Sequence, residues 1–160
     1  MTHWDRREFG AAMAAFALMA GHSEGQPTGQ PKGQEGAPTP DSPGLATSRV
    51  YKFSEMKLNN YANGGWGRQI LHGTLPTGEF VELHETMLPA GQMPHPPHQH
   101  RNTEFVMIRE GTLQFLNEGV MEPVGPGDVI YTASNRMHGL KNVGSTPALY
   151  FVVSVSHGQM

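Results

Sequence analysis

The chain has 160 residues, enough for one folded domain with extra segments, and a formal net charge of −3. It has no basic run to give nucleic acid a footprint, and without cysteine it can form no disulfide, cysteine zinc site or thiol nucleophile. Nine histidines are many for this length.

In chain order, Asp5-Arg6-Arg7-Glu8-Phe9-Gly10 resembles the twin-arginine export motif and is followed by the apolar run AAMAAFALMA. That run is too short to span a bilayer and ends in small residues suited to cleavage near Ala20 or Gly21. Residues 1–20 are therefore expected to be a signal peptide; an amphipathic helix or an uncleaved anchor is the other reading. The expected location is the periplasm or the exterior, with no stable membrane insertion after cleavage. The twin-arginine route is understood to carry proteins already folded. That suits a metalloprotein choosing its metal inside the cell, since affinity alone favours copper or zinc over manganese or iron. Residues 21–48 are rich in Gly, Pro, Gln and Ser and nearly devoid of apolar side chains. Such a segment cannot bury enough surface to offset its ordering entropy, so it reads as a flexible linker.

Residues 49–160 read as the folded domain. Val50 to Phe53 is a short strand candidate, and Asn59 to Gly67 a loop rich in Asn and Gly. Arg68 to Gly73 and Glu79 to Leu88 read as strands joined by a turn at residues 75–78. Val81, Leu83, Glu85 and Met87 alternate with Glu82, His84 and Thr86, which predicts one core face and one wet face, with Glu82 and Glu85 solvated. Further strands are expected at Glu104 to Ile108, Thr112 to Asn117, Val129 to Tyr131 and Ala148 to Val155, separated by Gly and Pro. This spacing predicts an all-β sandwich or barrel.

The stretch from Gly91 to Gly111 carries the chemistry. His98, His100 and Glu104 are metal-capable, and if the segment is a strand their even numbering puts them on one face. Pro94, Pro96 and Pro97 deny backbone donors and hold the approach extended. A fourth ligand must come from a neighbouring strand, and His138 is the best candidate. His95 is read as an exposed loop residue beside the alternatives of acid/base or ligand-supporting partner. His72 and His84 lie in strand candidates and are expected to be satisfied or solvent-facing, and Met93, Met107, Met121 and Met137 are candidates for an apolar pocket or simple core filling.

These residues resemble the two motifs of the cupin superfamily. His98-x-His100, three residues, Glu104, six residues and Gly111 fit the first. Gly91 stands one residue further upstream than the pattern expects. Gly127, His138 and Asn142 fit the second, with Ala133 and Asn135 replacing a proline and a glycine; Asn tolerates the positive φ that glycine would supply. The resemblance covers roughly residues 50–155. It implies a single antiparallel jelly-roll barrel holding one divalent transition metal on His98, His100, Glu104 and His138. Manganese and iron lead, with nickel, copper, cobalt and zinc compatible with the donor set.

Fold does not fix reaction, so three classes stay open. The resemblance to cupin dioxygenases implies an oxidoreductase acting on a small phenolic or enolic substrate, with Glu104 as ligand and proton acceptor. A non-redox isomerase, lyase or decarboxylase is the second class, and a non-catalytic metal- or ligand-binding protein the third. Cupins of this size commonly pair through their sheets, which implies a homodimer.

Overall fold

Short apolar runs, alternating with polar positions and cut by Gly and Pro turns, form nine antiparallel strands in a computed structural model that describes residues 45–157. The expected signal peptide and residues 21–44 of the expected linker lie outside the described residues. The strands are β1 (Leu58–Asn60), β2 (Trp66–Thr74), β3 (Glu79–Leu88), β4 (Thr103–Glu110) and β5 (Leu113–Asn117). They continue with β6 (Val120–Val124), β7 (Val129–Thr132), β8 (His138–Asn142) and β9 (Ala148–His157). Among the described residues the helical content is one 3-10 turn, Phe53–Glu55, and no helix is long and apolar enough to cross a membrane.

Six strands form one sheet in the order β1-β2-β3-β9-β4-β7, and three form a second in the order β6-β5-β8. The last strand, β9, lies between β3 and β4, so the chain's end closes the larger sheet. This all-antiparallel, two-sheet arrangement is consistent with the expected jelly-roll. The core sits between the sheets and comprises Leu88, Val106, Ile108, Leu113, Phe115, Ile130, Leu140, Ala148, Tyr150 and Val152. Along β4 and β9 the inward positions run from polar (Glu104, Ser154) to apolar (Ile108, Ala148), so one end of the barrel is packed and the other is chemically equipped.

Two turns show why particular residues are required. Gly111 sits at φ 97°, and a Cβ there would come within 2.5 Å of the Ala148 side chain, so the turn from β4 to β5 takes only glycine. Asn135 adopts φ 57°, supplying the left-handed residue that replaces the second motif's glycine.

Three expectations are corrected. Residues 50–52 have no strand structure, and Phe53 opens the 3-10 turn instead; its ring lies against the Arg68 guanidinium, 4.2 Å from the centroid. The predicted wet face of β3 is only half-exposed: between β2 and β9 no residue of that strand is fully exposed, Thr86 is buried, and Glu82 and His84 are half-buried. Glu85, expected to be solvated, is 3% exposed and bonded to Arg109 Nη1 at 2.9 Å. The strand β6 was not anticipated; it is short and contains Pro123, which an edge strand accommodates because its outer side donates no ladder bond.

Candidate metal centre

His98 and His138 are joined first by their backbones. Each amide donates to the other's carbonyl at 2.9 Å, an isolated antiparallel bridge that sets the chain before β4 alongside β8. Prolines at 94, 96 and 97 cannot donate, so this alignment does not propagate into a strand. His100 follows in an irregular segment whose carbonyl accepts the Asn135 amide at 2.7 Å, and Glu104 is the second residue of β4. The expectation that His98, His100 and Glu104 share one strand face is thereby corrected. The chain crosses from the smaller sheet to the larger between residues 98 and 104, and that crossing, not period-two alternation, brings them together.

The candidate ligand nitrogens of His98, His100 and His138 all lie within 4.8 Å of one another. The ring centroids of His98 stand 5.0 Å from His100 and 4.6 Å from His138. Glu104 reaches the same space: Oε1 is 3.4 Å from His100 Nε2, and Oε2 is 3.9 Å from His138 Nε2. His138 Nδ1 donates to the Arg136 carbonyl at 2.9 Å, and His100 Nδ1 donates to the Asn102 carbonyl at 3.2 Å. Carbonyls only accept, so both rings turn Nε2 toward the centre as a lone pair when neutral.

His138 Nε2 and His98 Nδ1 are buried without a hydrogen-bond partner. Orphaned nitrogens of this kind, beside a carboxylate, are what a metal would satisfy. Three histidines here could hold a metal ion.

Electrostatics agree with that use. Burial, reinforced by His95, His138 and His100, pushes His98 down to about 4, so its imidazole is neutral at physiological pH. The hydrogen bond that protonated His100 donates to the Glu104 carboxylate raises His100 above its ordinary value. Burial pulls Glu104 up, but His100, with help from His138 and His84, outweighs it and holds the carboxyl below the usual range.

The remaining sequence candidates separate. His95 is exposed, yet its ring packs edge-on against His98 with centroids 4.1 Å apart, and Nδ1 donates to the Pro96 carbonyl. His84 Nδ1 lies 3.3 Å from Glu82 Oε1, a pairing that spacing alone did not reveal. Of the methionines, Met107 is exposed on the outer sheet face and Met137 lines a cavity of about 270 Å³ bounded also by Phe115, Thr132 and His138. Thr132 and Ser154 flank Glu104 on the neighbouring strands β7 and β9. No motif marks them; only the cross-strand register could have found them.

Residues 84–154, which include both sequence motifs, match the family described as Cupin domain. No curated protein matches the sequence. Solved structures with this fold include an RmlC-like cupin from Shewanella frigidimarina, 16% identical with a TM-score of 0.57 over 68% of this chain and 91% of that one. A predicted oxalate decarboxylase from Thermotoga maritima is 24% identical, with a TM-score of 0.55 over 67% of this chain and 98% of its own. The polyketide cyclase RemF from Streptomyces resistomycificus is 19% identical, with a TM-score of 0.54 over 68% and 79% of the two chains. Residues 84–154 thus match a cupin domain, and these solved structures share the fold.

Proposed function

We propose that the protein is an exported, metal-dependent cupin enzyme, an oxidoreductase of dioxygenase type acting on a small phenolic or enolic substrate. The observation that carries this reading is the convergence of His98, His100 and His138 on one point with the Glu104 carboxylate against two of them. These four residues would hold one divalent transition metal, manganese or iron in the first place. Nickel, copper, cobalt and zinc are also compatible with three imidazoles and a carboxylate. The bound ion would supply Lewis acidity and a meeting point for substrate and dioxygen.

The protein's own residues do the rest. The Arg136 and Asn102 carbonyls fix two of the imidazoles in the ligating tautomer. Glu104, held ionised by its histidine neighbours, accepts the proton of a substrate hydroxyl as it becomes an enolate or phenolate. The apolar layer of Val106, Phe115, Ile130 and Leu140 beneath it excludes bulk water.

A non-redox isomerase, lyase or decarboxylase is the second reading, favoured by two structures that share the fold, a predicted oxalate decarboxylase and a polyketide cyclase. Dioxygen consumption by the metal-loaded protein across phenols and enols separates the two. Substrate-dependent uptake, lost in Glu104→Gln, supports the oxidative reading; conversion of substrate without uptake replaces it with the second.

Export to the periplasm or beyond rests on Arg6 and Arg7 with the apolar run behind them. Its check is whether Arg6→Lys with Arg7→Lys holds the chain in the cytoplasm. Pairing as a homodimer is supported by Phe105, Met107, Val129 and Tyr131, all exposed on the outer face of the larger sheet.

A further inference from the structure

The concave face of the larger sheet carries a second polar feature that the metal ligands do not use. In register across five strands, His72 pairs with Glu82, Glu82 with Ser154, Ser154 with Glu104, and Glu104 with Thr132. Ser154, Glu104 and Thr132 face inward, because Val152, Val106 and Ile130, two residues along each strand, belong to the core. One step nearer the core than Glu82 is His84, its Nδ1 3.3 Å from Glu82 Oε1. That histidine, with help from Gln69 and His72, keeps the Glu82 carboxyl below its ordinary range despite burial.

A polar row inside a barrel is costly unless its groups are bonded. Glu104 is accounted for by the metal centre. The two hydroxyls beside it are not. Ser154 is 5% exposed and Thr132 3% exposed, and neither hydroxyl oxygen has a hydrogen-bond partner. Buried hydroxyls without partners are rare in folded proteins, and those that open on a binding space take their partner from what enters it. The space is open at this level: the Glu82 and His84 side chains keep 29% and 27% of their exposure, and Glu104 keeps 21%. Neighbouring strands lie about 4.8 Å apart, so Glu82 stands roughly 10 Å from Glu104 with Ser154 midway, and Thr132 about 5 Å beyond.

We propose that Glu82, His84, Ser154 and Thr132 form a binding wall for a polyhydroxylated, non-aromatic ligand, of the sugar or sugar-acid class, whose carbonyl or carboxylate end meets the metal centre. This rests on the metal-centre reading and narrows its substrate to the enol-forming half. Glu82 accepts from a distal hydroxyl, Ser154 donates to and accepts from the hydroxyls between it and Glu104, and Thr132, on the far side of Glu104, bonds an oxygen at the end that meets the metal centre. A flat aromatic ring would leave all of these unbonded, and sites built to bond hydroxyls discriminate strongly against ligands that lack them.

The test is calorimetric titration of D-gluconate, D-xylonate and catechol into wild type, Glu82→Gln and Ser154→Ala, each with and without manganese, with metal content read on the same samples. The expected result is that the two sugar acids bind wild type and that each substitution weakens them at least tenfold. Metal content and melting temperature should hold, and catechol affinity should not respond to either substitution. Sugar acids that fail to bind, or that bind both variants as tightly as wild type, overturn the wall whether or not metal is present. Absence of metal from wild type overturns the metal-centre reading instead, and the wall is then judged on the metal-free titrations by the same tenfold criterion. If one variant fails to fold, the other decides.

Discussion

His100 and Glu104 exchange roles with pH. In the metal-free protein, Glu104 raises His100 above 6.5, and the histidines hold Glu104 below 4.5. The raised His100 stabilises the fold below its unfolded value, and that contribution is lost as pH rises through its folded value. The lowered Glu104 stabilises above its unfolded value, and that contribution is lost as pH falls through its folded one. Both act together between about pH 4.5 and 6.5, so the metal-free protein gains most from the pair in that window. Metal binding runs the other way, because a ligating imidazole must be neutral. Manganese affinity should therefore fall as pH drops through the raised value of His100, which is the competing proton site. His98, held near 4, stays neutral throughout this range. Metal titrations at a series of pH values check this; an affinity flat from pH 8 to 5.5 would contradict it.

At the scale of elements, β8 is the hinge on which the site and the fold meet. Its first residue, His138, faces the centre, and its last, Asn142, is fully buried. Asn142 Nδ2 donates to the Leu88 carbonyl at 3.0 Å and the Thr146 carbonyl at 2.8 Å, and its Oδ1 accepts the Gly144 amide. The motif asparagine is thus a clamp between β3 and the loop before β9, not a ligand. Asn142→Ala should cost about 2–4 kcal/mol by stranding those buried groups, measured by denaturant unfolding.

Much of this was legible in the sequence: the strands bounded by Gly and Pro, the inward face of Glu104, Val106 and Ile108, and the ligand candidates. The route to the site was not. Period-two reasoning assumed a strand from His98 onward, but the prolines that stiffen the segment also deny it the donors of a continuous ladder. Glu85 read as a solvated charge because its partner Arg109 lies on β4, separated from β3 by β9. Thr132 and Ser154 were invisible for the same reason, since register between distant strands is a tertiary fact.

For the whole molecule, the larger sheet has two faces with different work. The inner face grades from apolar core to polar wall, while the outer one exposes Phe105 at 40% and Tyr131 at 60%, their ring centroids 5.4 Å apart on adjacent strands. Under the proposed pairing, a second copy of the chain would cover this exposed aromatic pair. Sedimentation should give twice the chain mass, and Phe105→Glu with Tyr131→Glu should return it to one chain without loss of fold. A monomeric wild type would end that reading.

The proposed metal would be held by His98, His100, Glu104 and His138. Elemental analysis of purified protein beside His138→Ala tests it most directly. About one equivalent of a divalent transition metal per chain in wild type is expected, with affinity lowered roughly 100-fold or more in the variant, beyond what loss of an outer-shell partner costs. Wild type without metal after loading, or a variant that binds it as tightly, would rule out a metal centre at these residues.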